Sequence, residues 1–295
     1  MKTFLKAALS FVLSLLLLML IVSALISSTV LNVDFMISQQ EKNNYYADVA
    51  NSFVKRATPY FTSNGLLPGM LASYVDENEI GQLIQANTNA FYSGKNGRID
   101  GNIVFASLSD EICKGIAEND VKITDDIKSS VDQISLQVQN LYAGYLVMPM
   151  EDVLSTMKKL YSYTYSPFLI ASMLVIAAVS VLALFRLCKN KREFNDYIVI
   201  SLFSIGLSCI AVPLYWLLSN SANNIMNNTM IYYKLFVSIA NSVLSSLVLI
   251  GAILIIVVIA IRLISLFKNA NKKKQQNKNY YSLDANGNLI NVTNS

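Results

Sequence analysis

Four long apolar segments constrain this chain more than any other feature. Each is about long enough to cross the ~30 Å hydrocarbon core of a bilayer, which takes about 20 helical residues. Only 14% of the residues are charged, whereas soluble domains average about 25%. The sequence therefore predicts an all-α membrane protein with four transmembrane helices. The segments are Ala7–Leu31, Phe168–Phe185, Tyr197–Leu218 and Leu235–Ile264.

Basic residues flank these segments on one side of the predicted membrane. They precede the first segment, fill the short loop after the second, and follow the fourth. Since basic flanking residues stay in the cytoplasm, we expect a multi-pass protein of the plasma membrane with both termini cytoplasmic. The long region after the first segment is then extracytoplasmic. The flanking residues are Lys2, Lys6, Arg186, Lys189, Lys191, Arg192, Lys268, Lys272, Lys273, Lys274 and Lys278.

This topology divides the chain into four parts. We predict an N-terminal transmembrane anchor (1–31), an extracytoplasmic helical domain (32–166), a three-helix membrane domain (167–267) and a basic cytoplasmic tail (268–295). A cleaved signal peptide is the alternative for the first part, because Val22-Ser23-Ala24 resembles a small-residue cleavage site. The apolar run continues past that site, which favours an uncleaved anchor.

The extracytoplasmic region is expected to be mostly helical. Pro59 and Pro149 are expected to interrupt helices. Asp76 lies in a central or an initiating turn of one expected helix, and Thr124 offers N-cap chemistry for another. These helices would form a domain between the first and second transmembrane helices. The expected helices cover Ile37–Thr58, Met70–Tyr92, Ile103–Ala117 and Ile123–Leu146.

Composition excludes several function classes. The chain has no histidine, so Ser-His-Asp and Cys-His catalysis are excluded within it, as is the commonest zinc ligand. Residues 32–166 hold 16 acidic and 10 basic residues, a net charge of −6, which argues against nucleic-acid binding. We predict no catalytic residue, no cofactor and no metal site. The residue usage resembles that of membrane proteins from low-GC Gram-positive bacteria, and this resemblance implies no activity.

The three cysteines are expected not to form a disulfide within one chain. The predicted topology places Cys113 outside, Cys188 at the inner membrane face and Cys209 inside the membrane. Pairing of Cys113 between two chains is an alternative to a buried free thiol.

Small polar residues form stripes on the third and fourth apolar segments. Such residues let membrane helices approach closely and bond across them, so we expect helix packing, with pore lining as the alternative. The last three segments lack buried carboxylates, which disfavours proton-coupled transport and aspartyl intramembrane proteolysis. The stripe residues are Ser201, Ser204, Ser208, Ser238, Asn241, Ser242 and Ser246.

Two further groups of residues are candidate binding sites. The loop Ser93–Asn102 carries Lys95, Arg98 and Asp100, and it is either a recognition loop or an ordinary interhelical connection. In the tail, anionic lipids attract basic residues by ~1 kcal/mol each, which indicates lipid contact. Those tail residues are Lys272, Lys273, Lys274 and Lys278.

The layout favours a non-enzymatic multi-pass membrane protein whose extracytoplasmic helical domain binds or senses a partner. The alternative is a homo-oligomeric channel or permeation subunit. We expect contact with membrane lipids, together with either a protein partner or a second copy of the chain, and no nucleic acid.

Overall fold

The structure is a computed structural model that describes residues 2–66, 69, 71, 75–95, 108–118, 122–219, 231–279, 281–283 and 289–291. Within these ranges the chain is helical apart from one short pair of strands. The helices are α1 (Lys2–Ser28), α2 (Val33–Lys42), α3 (Tyr45–Thr62), α4 (Glu77–Tyr92), α5 (Leu108–Ala117), α6 (Asp125–Tyr145), α7 (Glu151–Thr164), α8 (Pro167–Leu187), α9 (Lys191–Leu218) and α10 (Ile231–Asn279).

Four of these helices are long and apolar enough to cross a membrane. They are α1, α8, α9 and the part of α10 that ends at Lys268. The prediction of a helical membrane protein with four long apolar helices is thus confirmed.

The chain divides into two compact units, which are described separately. The membrane unit consists of Met1–Val22, Pro167–Trp216 and Leu244–Ser295. The helical domain consists of Ser23–Ser166 and Leu217–Val243. Both α1 and α10 contribute residues to the two units. The fourth apolar segment, expected from Leu235 onward, therefore begins inside the helical domain rather than wholly in the membrane unit.

The helical domain is built around α3. Val49, Phe53, Ala57 and Phe61 recur every fourth residue, so they share one face of the helix, and all four are buried. This face packs against α2, α4 and α6, while α5 packs on α6. Edge-to-face contact joins Phe53 to Tyr142, with ring centroids 5.0 Å apart. The first turns of α10 complete the core with Leu235 and Ile239.

Side-chain caps fix where several helices begin. The Asp76 carboxylate accepts a hydrogen bond from the Asn78 amide at the start of α4, and Thr124 accepts from the Ile127 amide at the start of α6. Asn32 does the same for α2. Such caps satisfy amides that have no partner within the helix. Asp76 thus belongs to the initiating turn rather than a central one, and Thr124 is the N-cap of its helix.

The segment expected as one helix over Ile37–Thr58 is two helices. The chain turns at Asn44, which has a φ of 52°, and asparagine adopts this left-handed conformation more readily than most residues. Pro59 was expected to break the helix, but it lies inside the last turn of α3, which ends at Thr62. Proline has no amide to donate to the Lys55 carbonyl four residues earlier, and α3 ends three residues after it.

Other expected boundaries fall partly outside the described residues. The helix expected from Met70 is described from Glu77, and the one expected from Ile103 is described from Leu108. Residues 70, 72–74 and 103–107 lie outside the described part of the chain. Pro149 stands just before α7, as expected.

The membrane unit is held by close approach of its helices. Gly206 of α9 lies against Gly251 of α10, where an added Cβ on Gly251 would be 2.7 Å from the Gly206 carbonyl oxygen. A second contact region joins Leu13 and Leu16 of α1 to Leu184 of α8. Large apolar side chains on these helices remain exposed, as expected for surfaces that meet lipid.

The C-terminal tail is more regular than its composition indicates. Helix α10 extends to Asn279, and strands β1 (Tyr281–Leu283) and β2 (Leu289–Asn291) pair antiparallel after it. Residues 284–288, between the two strands, lie outside the described part of the chain.

Candidate functional site

The stripe on α10 begins with hydroxyls that bond within the helical domain. The Ser238 hydroxyl lies 3.2 Å from Oε1 of Gln39, and the Ser242 hydroxyl lies 3.5 Å from the same atom. Gln39 is a buried residue of α2. Asn241 is half-buried in the same stretch, and Ser246 is half-buried in the membrane unit. The structure thus places the first part of this stripe against α2.

The stripe on α9 divides into one buried and two exposed residues. The Ser201 hydroxyl lies 2.7 Å from the Ser10 hydroxyl of α1, and both side chains are buried. Ser204 and Ser208 are exposed, and each donates to the carbonyl four residues earlier in its own helix. Among the described contacts, only Ser201 therefore joins α9 to another helix through its hydroxyl.

The candidate recognition loop is described only at its start. Gly94, with a φ of 70°, lets the Lys95 amide donate to the Ala90 carbonyl over 3.0 Å. This bond is part of a common helix-ending motif that needs a left-handed residue. The Lys95 side chain is exposed, while Arg98 and Asp100 lie outside the described residues.

Carboxylates of α4 lie at the protein surface, and the four candidate lysines of the tail are described only by their backbone. Glu77 and Glu79 are exposed in the first turn of α4. No group of three metal-ligating side chains occurs among the described residues. The side chains of Lys272, Lys273, Lys274 and Lys278 lie outside the described part of the structure, although their backbone belongs to α10.

A groove in the helical domain is a further candidate site, and no local sequence pattern indicates it. It has a volume of ≈ 360 Å³ and is walled by α3, α6 and the first turn of α10. The lining residues are Ser52, Arg56, Asn140, Leu141, Gly144, Tyr145, Ile231 and Tyr232.

The wall of the groove is anchored in the core. The Tyr145 ring packs edge-to-face on Phe53, with centroids 6.0 Å apart. Its hydroxyl donates to the Ser52 carbonyl over 3.4 Å. Gly144 has no heavy atom within 4 Å of the position a Cβ would take. The groove exists because a glycine faces open space beside a fixed tyrosine.

Arg56 is the one charged residue among the described residues that line the groove. It is exposed, and it makes no ion pair or hydrogen bond with any residue that the structure describes. The neighbouring cation on α10, Lys234, is already paired with Asp48 at 2.7 Å. The groove therefore presents a single positive charge beside two tyrosine rings.

Two buried tyrosines, Tyr45 and Tyr142, lie in the core of the same domain. Burial raises the pKa of Tyr45 well above its usual value, and neighbouring Tyr232 and Tyr46 add to the shift. Burial is also the main cause that raises the pKa of Tyr142, with smaller effects from Glu79 and Asp76. These phenols stay protonated in the folded domain.

The membrane unit carries its own polar contacts near the ends of its helices. The Lys6 ammonium lies 2.6 Å from the Glu193 carboxylate, and Arg262 pairs with Asp196. The ion pair gives the Arg262 guanidinium a partner close to the end of the apolar span at Lys268. Burial raises the pKa of the adjacent Cys188 thiol, and Glu193 adds to that effect.

Comparison with known proteins does not identify a relative. No family model, curated protein or solved structure shows significant similarity to this chain. A function is therefore inferred from the residues of the chain itself.

Proposed function

We infer that this chain is a non-enzymatic, multi-pass protein of the plasma membrane whose helical domain lies outside the cytoplasm and senses a partner. The observation that carries this proposal is the construction of α10. Its first turns, through Val243, pack in the helical domain, and the same helix continues as an apolar span to Lys268. A partner that displaces those first turns therefore acts directly on residues of the span.

Charge distribution supports the proposed sidedness. Residues 32–166 have a net charge of −6, whereas the rest of the chain has a net charge of +10. Basic segments close to apolar spans remain in the cytoplasm. The acidic helical domain is then outside, and both termini are inside.

The groove supplies the surface where a partner can act on α10. Ile231 and Tyr232 of α10 line it together with Arg56 of α3 and Leu141 of α6. A partner seated there touches three helices at once. Its binding energy is then available to shift α10 relative to α3 and α6, since a ligand shifts an equilibrium by its differential affinity for the two states.

Adjacent glutamines on α2 provide a matched test of whether a displacement in the helical domain passes along α10 into the apolar span. Gln39 accepts hydrogen bonds from Ser238 and Ser242 of α10, whereas buried Gln40 donates to Thr88 of α4. We expect Gln39→Ala to change the position of α10, and Gln40→Ala to disturb the domain without acting on α10 directly.

The reactivity of the native Cys209 thiol shows whether a change in the position of α10 reaches the membrane unit. Its Cβ lies 2.9 Å from the position that a Cβ on Gly251 of α10 would occupy. Alkylation of Cys209 by a membrane-permeant maleimide, measured by mass spectrometry, should be at least about threefold faster in Gln39→Ala than in Gln40→Ala. Equal rates in the two variants would rule out transmission along α10.

Partner binding itself is tested by photocrosslinking in intact cells. A photoreactive residue at Leu141, inside the groove, should give a reproducible adduct, and one at exposed Asn89 of α4 should not. A groove position that yields no adduct, or the same adducts as Asn89, contradicts partner sensing.

A homo-oligomeric channel has weaker support. Several hydroxyls that were candidates for pore lining bond within one chain, namely those of Ser201, Ser238 and Ser242. Exposed Ser204 and Ser208 remain for such a role. Conductance of the reconstituted protein that is lost in the double variant Ser204→Val and Ser208→Val would favour the channel.

A further inference from the structure

We propose that the groove binds a single carboxylate side chain within an otherwise apolar peptide segment, and that Arg56 holds the carboxylate. This inference deepens the partner-sensing function and rests on it. It names the chemistry of the partner that the groove receives.

The charge of the groove fits one carboxylate. Among the described residues that line it, Arg56 alone is charged, and no described residue satisfies its guanidinium. A guanidinium and a carboxylate form two parallel hydrogen bonds of matched geometry. A phosphate monoester carries about −1.5 to −2 charges and three strong acceptor oxygens, which a groove with one cation matches poorly.

The remaining walls fit apolar atoms beside that carboxylate. Leu141 and Ile231 contribute aliphatic surface, and Tyr145 and Tyr232 contribute rings. The exposed Asn140 amide adds a donor suited to a peptide carbonyl. The volume of ≈ 360 Å³ falls in the range of about 300–1,000 Å³ that is usual for ligand sites.

The charge of the surrounding domain restricts the partner further. Residues 32–166 carry a net charge of −6, so a strongly acidic partner is repelled at long range. A segment with one acidic residue among apolar neighbours avoids most of that repulsion. It still gains the contact with Arg56.

The test compares two dipeptides that differ in one charge. N-acetyl-Phe-Glu-amide and N-acetyl-Phe-Gln-amide are titrated into the full chain, held in a neutral detergent, by isothermal titration calorimetry. We expect the glutamate peptide to bind at least about tenfold more tightly than the glutamine peptide. Similar affinities for the two peptides would overturn the proposal.

Arg56 and its neighbour Lys55 give a matched pair of variants. Both residues are exposed cations of α3, but only Arg56 lines the groove. Arg56→Gln should abolish the preference for the glutamate peptide, whereas Lys55→Gln should leave it within about twofold of the natural chain. Equal losses in both variants would indicate a general charge effect and would contradict a site at Arg56.

Competition distinguishes a carboxylate site from a phosphate site. Acetate should displace the glutamate peptide at least as well as inorganic phosphate does, and stronger displacement by phosphate would overturn the assignment. If the carboxylate proposal fails in these experiments, partner sensing is still tested separately. The contrast in Cys209 alkylation between Gln39→Ala and Gln40→Ala does not depend on the ligand. If that contrast also fails, partner sensing through α10 fails with it.

Discussion

Phe53 and Gly251 stabilise their surroundings in opposite ways. Phe53 fills the centre of the helical domain with a fully buried ring that contacts two tyrosines. Gly251 has no side chain, and this absence lets its helix approach Gly206 until backbone atoms touch. One region is held by burial of large side chains, and the other is held by close contact between backbones.

The difference follows from the solvent that each region is expected to meet. In water, burial of apolar side chains drives folding, at about 25 cal/mol per Å². In lipid that driving force between helices is absent, so packing of small residues and hydrogen bonds take its place. The exposed apolar side chains of α8 and α9, such as Val179 and Val212, agree with this division.

The largest expected effect is confined to the helical domain. Phe53→Ala should lower its free energy of unfolding by about 3–5 kcal/mol, because a buried ring is replaced by a cavity. Thermal unfolding would be followed by alkylation of Cys113 for this domain and by emission of Trp216, the sole tryptophan, for the membrane unit. Leu136→Ala, at a side chain that is 56% exposed, should stay within about 0.5 kcal/mol. A joint shift of both transitions would mean that the two units unfold together.

Alkaline pH should also act on the helical domain more than on the membrane unit. Burial raises the pKa of Tyr45 and Tyr142, so above the unfolded value of about 10 the unfolded state loses protons first. Stability is complete below about pH 10 and falls as pH rises toward the folded pKa values, by ~1.4 kcal/mol per pH unit for each tyrosine. Near pH 11 the two tyrosines together should lower the free energy of unfolding of the helical domain by about 3 kcal/mol.

A variant with one fewer titrating group checks this prediction. The Tyr45 hydroxyl has no hydrogen-bond partner among the described residues. Tyr45→Phe should therefore reduce the loss of stability at alkaline pH and change stability at neutral pH little. Tyr163→Phe, at a residue that is 79% exposed, should leave the alkaline loss unchanged. Denaturation monitored by tyrosinate absorbance gives both results, and equal curves for the two variants would contradict the assignment.

A smaller effect is expected in the membrane unit from Gly251→Ala. The new Cβ would lie 2.7 Å from the Gly206 carbonyl oxygen, and a backbone atom yields less easily than a flexible side chain. We expect a loss of about 1–3 kcal/mol, seen in the Trp216 transition. Gly144→Ala, which meets open space in a helix, should instead be stabilising by about 0.5–1 kcal/mol. Destabilisation by both changes would show that glycine is needed for reasons other than close approach.

The smallest effect is expected from Ser201→Ala, which removes the hydrogen bond to Ser10 in α1. Hydrogen bonds between membrane helices average about 0.6 kcal/mol, so the Trp216 transition should shift only slightly. Ser208→Ala removes a bond within its own helix and should shift it less. A shift as large as that of Gly251→Ala would mean that polar contacts, rather than close backbone approach, dominate this unit.

The membrane spans and several helix starts were accessible from local sequence. Apolar length indicated the four long helices, and Thr124 indicated a helix start because capping depends on residues three or fewer positions apart. The break at Asn44 was missed because asparagine enters the left-handed region without a glycine or proline to signal it. The fourth expected segment, Leu235–Ile264, lies within the apolar span Ile231–Lys268. Local sequence does not show that its first turns pack in the helical domain, because a buried core stretch is as apolar as a membrane stretch.

The groove could not have been found in this way. Ser52 with Arg56, and Leu141 with Tyr145, each repeat at a spacing of four and so share a helix face. That spacing is common to ordinary surface faces. Nothing local indicates that these two faces meet Ile231, which is far away in sequence.

The sequence by itself determined the four apolar helices, the asymmetry of charge and the exclusion of histidine chemistry. These depend on composition and on neighbours within one or two helical turns. Only the tertiary structure decided that α10 begins in the core of the helical domain, that Gln39 meets its serines and that Arg56 stands without a described partner in a groove. Such contacts join residues up to about 200 positions apart, and their geometry comes from packing rather than from any local preference.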